Sequence, residues 1–456
     1  MDRPKVTVYV TNYNYGRYLR QSIESVLNQT LKDIELIIID DGSSDESSQM
    51  LGDYEGMENV FVIFQEQRGL TKASNLALKM ARGDYIVRLD ADDYFVLDAL
   101  ESLATVLDQS PDVVMVFPDY FEVDESGTIV AEVRRHDFGR EVTLLDQPAH
   151  GACTMFRRSA MLKVKGYDES FICQDGYDMW LKLTHEHNVA NINRPLFHYR
   201  KHGHSLSRNE ERILKTRAAI MSKHVQSRGL EPLRTWAVIP VRGASADPRS
   251  IPLRDLGGKP LIEWTLDAAL ASTVLEQIIV STPDQVVRAH VKARYGDRIR
   301  AVDRPRDLAR INTSVVPTIQ NALEQVSGSM SPPDAAMVLF VEAPFRSGLY
   351  IDKAVHAMQL YGVDIVDAIR LDDRIYYKHH GEGLEPLRGN DVLRLERDDL
   401  YRQVGGMSLA RHETLMASGS LFAGRIGHIE LDQKASFMIQ SELDWLIAES
   451  LANTES

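Results

Sequence analysis

The chain has 456 residues, enough for two or three domains, and its 44% hydrophobic and 26% charged residues are typical of a globular protein. Its 66 acidic residues outnumber the 52 basic ones, and the formal net charge is −14. This balance argues against a protein that binds duplex nucleic acid, because such proteins carry a basic footprint. An acidic chain that handles an anionic substrate needs a metal ion or a local basic cluster.

The two cysteines, Cys153 and Cys173, give neither a disulfide framework nor a metal-ligand spacing, so we expect reduced thiols in a cytoplasmic protein. No signal peptide is recognisable, since Met1 to Lys5 lead straight into a strand pattern. No apolar run approaches the roughly 18 residues that a membrane-spanning helix needs. Peripheral attachment at the inner face of a membrane stays open.

The first half alternates apolar runs with amphipathic stretches, which predicts a parallel sheet with helices on both faces. In chain order the segments are the strand "VTVYVTNYN", the helix "YLRQSIESVLNQT", the strand "IELIIIDDGSSDES", the helix "LTKASNLALKMA" and the strand "DYIVRLDADD". Polar clusters at residues 11–14, 40–45 and 90–93 follow three of these strands. Ligands of such sheets bind beyond the carboxyl ends of the strands, so we expect the clusters to meet at one edge.

The pattern restarts after a charged helical stretch, "NEERILKTRAAIMSKHVQSRG". The segment "LEPLRTWAVIPVRGAS" is a new apolar strand followed by a Gly-containing loop, and strands and helices alternate again from there. The sequence therefore predicts two Rossmann-like α/β domains, residues 1–226 and 235–456, joined by a linker at 227–234.

Three carboxylates, Asp90, Asp92 and Asp93, close the last strand quoted for the first half. A single Asp after a strand is often the N-cap of the next helix, and Asp93 suits that role. Three acids in four residues exceed what a cap needs, and a cation relieves their repulsion. Mg²⁺ commonly bridges one or two carboxylates to substrate phosphates, so the spacing favours a metal site.

Four segments of this half together resemble the inverting family 2 glycosyltransferases with the GT-A fold: "TNYNYGRYLRQSIESVLNQT", "LIIIDDGSSDES", "GDYIVRLDADD" and "QDGYDMWLKL". The resemblance covers about residues 4–205. It implies a hexosyltransferase that moves a sugar from a nucleoside diphosphate donor, with UDP favoured, to a hydroxyl of a glycan, lipid-linked or protein acceptor. It also implies Mn²⁺ or Mg²⁺ as cofactor. Bacterial surface-glycan or glycoprotein assembly is the expected setting.

The resemblance assigns donor-binding roles to residues at the strand ends. Those expected to contact the base, ribose or diphosphate of the donor nucleotide are Thr11, Tyr13, Asp41, Arg68, Lys72 and Asp90. For Asp41 the alternative is a turn residue before Gly42, and for Arg68 and Lys72 it is a solvated helix face.

The resemblance also assigns the metal ligands and the base. Asp92 would coordinate the metal, and His202 in "FHYRKHGHSLS" would help to bind the metal or the diphosphate. Asp175 matches the family's general base, with Gln174 in place of the usual Glu. One extra residue precedes Tyr177, so Asp178 stays an alternative base, although it also suits capping of the following helix.

The second half resembles the CMP-sialic-acid-type cytidylyltransferases, in "AVIPVRGASADPRSIPLRDLGGKPLIEWTLDAAL", "IIVSTPDQVV", "DRPRDLA", "VLFVEAPFR" and "SELDWLIAE". The resemblance spans about residues 235–451 and implies a nucleotidyltransferase fold. A Gly-containing loop after the first strand suits phosphate binding through backbone N–H groups. Arg242 and Ser245 match this nucleotide loop, and Arg304 matches a further nucleotide-site arginine.

The second half departs from this family where the family binds triphosphate. Ala246 stands in place of the loop lysine, and Ile251 and Pro252 fill the positions of a Lys-Asn pair. A three-residue gap would instead place Arg254 and Asp255 there.

The positions of the family's two metal-binding Asp residues read Met438 and Gln440, which are poor ligands for hard cations. We therefore expect this domain to have lost cytidylyl transfer and to serve as a dimerisation, recruitment or substrate-binding module. The alternative is a bifunctional enzyme that also makes a CMP-activated acidic sugar, with Asp432 or Glu430 as substitute ligands.

Overall fold

A computed structural model describes residues 3–134, 150–202, 209–245, 247, 249–328, 330–372, 374–379, 381, 383–387 and 400–453. The chain divides into two compact units, the first running to Asn209 and the second beginning at Glu210. The helix at Glu210–Ser227 packs against the helix at Gly348–Tyr361 within the second unit. The domain boundary expected at residues 226–234 stays a prediction.

The first unit contains a mixed sheet. Its strands are β1 (Val6–Asn12), β2 (Ile34–Asp40), β3 (Val60–Phe64), β4 (Tyr85–Asp90), β5 (Tyr94–Phe95), β6 (Val113–Val123), β7 (Ile129–Val133), β8 (Met155–Arg157) and β9 (Asn188–Arg200). Its helices are α1 (Gly16–Leu27), α2 (Ser47–Leu51), α3 (Leu70–Met80), α4 (Ala99–Gln109), α5 (Arg158–Lys163) and α6 (Asp175–Thr184).

The strand order in this sheet is β3-β2-β1-β4-β8-β6-β9-β5, with β7 paired to β6. The predicted parallel order is confirmed for β1 to β4. It is wrong beyond β4, because β8 pairs antiparallel with both β4 and β6. The three strands β2, β1 and β4 therefore end side by side at their carboxyl ends, where polar segments follow them.

Apolar side chains on β1 and α1 fill one layer of the core of this unit. Val6, Val8 and Val10 are fully buried, and α1 contributes Leu19 and Ile23 to the same cluster. Burying one such side chain stabilises a fold by about 1.5–3 kcal/mol. The packing fixes the direction of β1 and thus the place where its polar carboxyl end emerges.

The second unit is built around a second mixed sheet. Its strands are β10 (Thr235–Pro240), β11 (Asp255–Leu256), β12 (Lys259–Pro260), β13 (Leu275–Thr282), β14 (Arg300–Asp303), β15 (Ala335–Leu339), β16 (Ile365–Asp372), β17 (Tyr377–His379), β18 (Leu384–Pro386), β19 (Leu400–Arg411) and β20 (Ile426–Glu430). Its helices are α7 (Glu210–Ser227), α8 (Leu261–Leu270), α9 (Gln285–Tyr295), α10 (Val316–Ser327), α11 (Gly348–Tyr361), α12 (His412–Ser418) and α13 (Glu442–Asn453).

The main sheet of the second unit has the order β14-β13-β10-β15-β19-β16-β20. Its first four strands run parallel, so that β14, β10 and β15 end at the same edge. Buried Trp236, Ile279 and Ile319 belong to the core that covers these strands. Both units are thus α/β, as predicted. Within the described ranges, no helix combines the length and the apolar content that crossing a bilayer requires.

Candidate functional site

The carboxyl ends of β1, β2 and β4 bring the predicted donor-binding residues of the first unit to one edge. Thr11 is in register with Asp90, and Asn12 with Asp40. The Asn12 side-chain amide donates to Asp40 at 2.7 Å, to the Ser43 hydroxyl at 3.0 Å and to the Ser47 hydroxyl at 2.8 Å. These bonds tie the loop after β2 to the end of β1.

Asp41, which follows β2, anchors the loop before α3. Its buried carboxylate accepts hydrogen bonds from the Gln65 side chain at 2.5 Å and from the backbone N–H groups of Arg68 at 2.9 Å and Gly69 at 2.7 Å. Gly69 has a φ of 91°, which glycine adopts readily. The loop leaves the Arg68 side chain exposed, and Lys72 is exposed on α3.

Tyr13 lies just beyond β1 with 41% of its surface exposed. Its ring is therefore available to stack on a planar ligand at this edge. Together with Arg68 and Lys72, it presents an aromatic face and two cations in the segments that follow β1 and β3. A nucleotide offers a planar base and an anionic diphosphate, which suit these two features.

The three carboxylates after β4 have different environments. Asp90 lies with its Oδ1 3.0 Å from Nε of Arg88, and burial raises the pKa of Asp90 to about 6 although Arg88 opposes the rise. Oδ2 of Asp92 is 2.8 Å from Nε2 of His202. Asp93 is buried and accepts the backbone N–H of Arg200 at 2.9 Å. Each acid therefore contacts a different cationic or donor group.

The interpretation of Asp93 as a helix N-cap is wrong. Helix α4 begins at Ala99, and the residue at its N-cap is Asp98. Between Asp93 and the helix, the short strand β5 pairs with β9 through Phe95 and Phe197. The carboxylate of Asp93 instead binds the carboxyl end of β9, because Arg200 is the last residue of that strand.

Two buried arginines, Arg88 and Arg200, are part of this site although sequence reasoning gave them no role. The Arg200 guanidinium donates to the carbonyl oxygens of Asp92 at 2.9 Å and Glu125 at 3.0 Å, and to the Gln21 side chain at 2.8 Å. For Arg88, an available signal was a lone cation inside the apolar run "YIVRLD". A buried cation usually has a buried anion as its partner.

His202 is buried against aromatic rings. The centroid of its ring lies 5.3 Å from that of Tyr15 and 5.9 Å from that of Tyr18. His198 is instead stacked on Tyr94 at 4.2 Å, and burial lowers its pKa. The remaining histidine of this segment, His204, lies outside the described residues. The structure thus brings His202, and not His198, into contact with Asp92.

The two candidate bases lie on α6. Asp175 is the first residue of the helix, follows Gln174 in a left-handed conformation (φ 62°), and accepts a hydrogen bond from the Arg88 guanidinium. Asp178, one turn later, lies 2.7 Å from Nζ of Lys182. Both carboxylates are buried. Through Arg88, the structure connects Asp175 but not Asp178 to the acids after β4.

The acids at the carboxyl end of β4 have the chemistry to hold a divalent cation. Among the described residues, no three His, Cys, Asp or Glu side chains are already grouped as metal ligands. Asp92 and His202 nevertheless place a carboxylate and an imidazole side by side, and Oδ2 of Asp93 is buried without a hydrogen-bond partner in the described part of the chain. Mg²⁺ sites often use one or two carboxylates and take their other ligands from substrate phosphates and water.

In the second unit, Arg242 follows β10 and Arg304 follows β14. Burial, together with repulsion from nearby Arg242, lowers the pKa of Arg304 to about 10. Two like charges at one edge favour a bound anion. The exposed Ser245 lies on the loop after β10, where its backbone N–H donates to Asp284 at 3.3 Å.

Arg254 has contacts other than those of the phosphate loop. Its guanidinium donates to Glu442 at 2.8 Å and lies 3.9 Å from the centroid of the Trp445 ring. Both partners belong to α13. In this structure the Arg254 guanidinium contacts α13, and its place in the nucleotide loop stays a prediction.

The suggested substitute metal ligands lie at the end of β20 and just after it. Glu430 ends β20 and pairs with Arg217 at 3.5 Å, and Asp432 accepts the Tyr350 hydroxyl. Three strands separate β20 from β10, so about 19 Å lies between them at the usual strand spacing.

Glu342 is the acid that the structure places beside the arginines. It follows β15, and burial raises its pKa against the attraction of Arg242 and Arg346. The backbone of Ile439, between the altered positions Met438 and Gln440, donates to the Glu342 carbonyl at 2.8 Å. The sequence analysis gave Glu342 no role. Its segment, "VLFVEAPFR", was considered only as a match to the cytidylyltransferase family.

Comparison with known proteins gives two family matches. The glycosyl transferase family 2 model matches residues 7–164, and the cytidylyltransferase model matches residues 236–329. A glycosyltransferase of Methanocaldococcus jannaschii, MJ1057, described as uncharacterized, is 30% identical over 208 residues, which cover 44% of this chain and 72% of that protein. The putative glycosyltransferase EpsH of Bacillus subtilis is 31% identical and covers 47% of this chain and 66% of EpsH.

Chondroitin synthase of Escherichia coli is 30% identical over 205 residues, which are 45% of this chain but only 30% of the synthase. The chain therefore spans less than a third of that relative. Among solved structures, residues 1–349 of TarS from S. aureus in complex with UDP-GlcNAc align with a TM-score of 0.42 and 20% identity, over 48% of this chain and 66% of that one.

Proposed function

We propose, from the premise that this chain belongs to glycosyl transferase family 2, that its first unit is an inverting glycosyltransferase. It moves a hexose from a nucleoside diphosphate donor, with UDP favoured, to a hydroxyl acceptor. One observation carries the proposal: the acids after β4 contact both His202 and Arg88, and Arg88 also contacts Asp175. The site thus combines a place for an anionic donor with a carboxylate for the acceptor.

The donor nucleotide lies along the edge where β1, β2 and β4 end. Tyr13 stacks on the base, Thr11 and Asp41 contact it, and Arg68 and Lys72 contact the diphosphate. The exposure of the aromatic ring and of both cations supports these roles. Asp41 already accepts three hydrogen bonds from the protein, but a carboxylate has about four acceptor positions, so one more donor can bind.

Asp92 and His202 would hold Mn²⁺ or Mg²⁺, with Asp90 contacting the metal or the ribose. When bound, the metal supplies positive charge that stabilises the departing diphosphate. The raised pKa of Asp90, which reflects its burial among other acids, supports a cation at this position. The Arg200 guanidinium donates to the backbone carbonyl of Asp92 and so holds that backbone in place.

Asp175 acts as the general base and takes the proton of the attacking hydroxyl. Its position at the start of α6 and its contact with Arg88 link it to the donor side of the site. Asp178 is the alternative base, but its ion pair with Lys182 on the same helix supports a structural role.

The second unit is a cytidylyltransferase domain that we propose to be non-catalytic. Met438 and Gln440 at the positions of the metal ligands support this, and so does the position of Glu430 on β20, which three strands separate from β10. Arg242, Ser245 and Arg304 keep a site for an anion. The alternative is a bifunctional enzyme that also makes a CMP-activated acidic sugar, and Glu342 beside the arginines is the observation that favours it.

A scaffold role for the second unit, as a homodimerisation surface, has support in the hairpin of β17 and β18. Tyr377 and Leu384 expose 57% and 67% of their surface there, and a two-stranded hairpin is marginally stable on its own. A second copy of the chain would cover these side chains. Leu384→Asp should then lower the mass in sedimentation analysis, while Ile129→Asp on exposed β7 should not.

One relative is named a chondroitin synthase, which supports a reaction in glycan assembly. We propose the same setting here, at a bacterial surface glycan or glycoprotein, in the cytoplasm or at the inner face of the membrane. The test is UDP release from a panel of UDP-sugars in the presence of Mn²⁺. Asp92→Asn should abolish it, whereas Asp108→Asn should not, because Asp108 lies in α4 and accepts from Tyr85 at the opposite end of β4. Equal release by both variants would contradict the metal assignment.

A further inference from the structure

Arg88 lies in β4 with its guanidinium between carboxylates from two distant segments. Its Nε is 3.0 Å from Oδ1 of Asp90, and its Nη1 donates to Oδ2 of Asp175. Only 6% of the side chain is exposed, so both contacts lie in a site that excludes most water. In such surroundings the charge-assisted hydrogen bond to Asp175 holds that carboxylate in a narrow range of positions. The contact with Asp90 is an ion pair without hydrogen-bond geometry.

Gly151 lies directly against the Arg88 guanidinium. A Cβ on Gly151 would come within 2.3 Å of Nη2 of Arg88, so this position accommodates only glycine while the guanidinium stays where it is. The backbone N–H of Cys153 donates to the Arg88 carbonyl at 2.9 Å, which fixes the same segment to β4.

On the neighbouring strand, Tyr9 is in register with Arg88, and its hydroxyl lies 3.1 Å from that of Tyr167. Burial raises the pKa of both phenols, so they stay neutral. Tyr9 and Tyr167 therefore contribute bulk and hydroxyl groups beside Arg88, but they contribute no negative charge. The two carboxylates that Arg88 contacts are Asp90 and Asp175.

We propose that Arg88 is a positioning residue, which holds the carboxylate of Asp175 at a fixed place relative to Asp90 and so aims the base at the acceptor hydroxyl. The inference rests on the proposed function of the first unit. Arg88 takes no proton: the acceptor oxygen bonds to the anomeric carbon, the bond from that carbon to the diphosphate oxygen breaks and releases the nucleoside diphosphate, and the hydroxyl proton passes to Asp175. A guanidinium suits this role because its planar fork donates to Asp175 while its delocalised charge attracts Asp90, whereas an ammonium is a point charge.

Gly151 has a role in the same arrangement, since it provides the space that the guanidinium needs. Misplacing a reacting group by about 1 Å can cost about 10²-fold in rate. Displacing Arg88 without removing its charge should therefore lower turnover and leave the fold intact. Arg88→Lys keeps the positive charge but changes the side chain that carries it. Gly151→Ala keeps Arg88 but fills the space that its guanidinium occupies.

The test measures UDP release with water as acceptor, from the UDP-sugar that the wild type turns over, with Mn²⁺ present. Arg88→Lys and Gly151→Ala should each lower kcat by about 100-fold and change the donor KM and calorimetric UDP affinity by less than about threefold. The matched control is Arg82→Lys, because Arg82 also pairs with a buried carboxylate, that of Glu35 at 2.7 Å, near the opposite end of the sheet. It should keep wild-type kcat.

A double-mutant cycle separates positioning from a merely structural effect. In an Asp175→Asn background, Arg88→Lys should lower kcat by less than about twofold, because residues that act through one another are not additive. Additive losses, or a fall in UDP affinity that parallels kcat, would overturn the role of Arg88. If the wild type releases UDP from none of the UDP-sugars, the proposed function itself is contradicted, and the role of Arg88 with it.

Discussion

Nε2 of His202 lies 2.8 Å from Oδ2 of Asp92, although 110 positions separate them in the sequence. Two residues before His202, the backbone of Arg200 binds Asp93. The carboxyl end of β9 is therefore fixed over the acids that follow β4. This arrangement places an imidazole beside the carboxylate of Asp92, and it underlies the first prediction.

His202→Ala should weaken Mn²⁺-dependent binding of UDP by about 10- to 100-fold, the usual cost of losing a group that supports a metal. Calorimetric titration of UDP with and without Mn²⁺ measures it. His198→Ala is the control, because His198 is stacked on Tyr94. If His198→Ala weakens binding as much as His202→Ala does, the contact with Asp92 is not a metal site.

Asp41→Asn should lower the free energy of unfolding by about 1–3 kcal/mol and also weaken UDP binding. The amide keeps the shape of the side chain but cannot accept from Gln65 and from the N–H groups of Arg68 and Gly69 as the carboxylate does. Urea unfolding followed by fluorescence gives the stability. Asp124→Asn, in an exposed turn, serves as control. Unchanged stability would show that the loop does not depend on this carboxylate.

The full chain should bind CTP in the second unit without requiring Mg²⁺, since the arginines remain and the metal-binding acids do not. Arg242→Gln or Arg304→Gln should weaken this binding by more than about tenfold, because each removes a charge-assisted contact. Arg310→Gln, in an exposed pair with Asp307, should have little effect. Binding that appears only with Mg²⁺ would favour the bifunctional alternative.

The second unit should become less stable as pH rises through the raised pKa of Glu342. The folded state holds this proton more tightly than the unfolded state, whose carboxyl titrates near its ordinary value of 4.5. The stabilisation is thus fully present below that value and is lost as pH increases, although Arg242 and Arg346 limit the loss. Melting temperatures between about pH 4 and about pH 8 should fall less in Glu342→Gln than in the wild type. A parallel fall in both would contradict this assignment.

Local sequence patterns predicted much of the fold. The runs "VTVYV" and "ELIIID" lie in strands buried on both faces, so their apolar continuity predicted parallel central strands. The antiparallel pairing of β8 was not predictable in this way. A three-residue strand, Met155–Arg157, has too few positions to show a periodicity, and its partners lie tens of residues away.

Part of the site could also be predicted, because local sequence patterns show it. Acids that follow a strand are visible in the sequence, and so Asp90 and Asp92 were selected. The roles of Arg88 and Arg200 depend on contacts between segments 76 to 179 residues apart, which no local spacing encodes. The sequence suggested that Asp93 is the N-cap of the next helix. Strand β5 lies between Asp93 and that helix, which begins at Ala99.

The most direct test of the central claim compares Asp175→Asn with Asp178→Asn in turnover of the UDP-sugar that the wild type uses. Asp175→Asn should lower kcat by about 10²- to 10⁴-fold, as loss of a general base does, while UDP binding persists. Asp178→Asn should lose stability, because its ion pair with Lys182 is broken, but retain most of kcat. Wild-type turnover by Asp175→Asn would contradict the account.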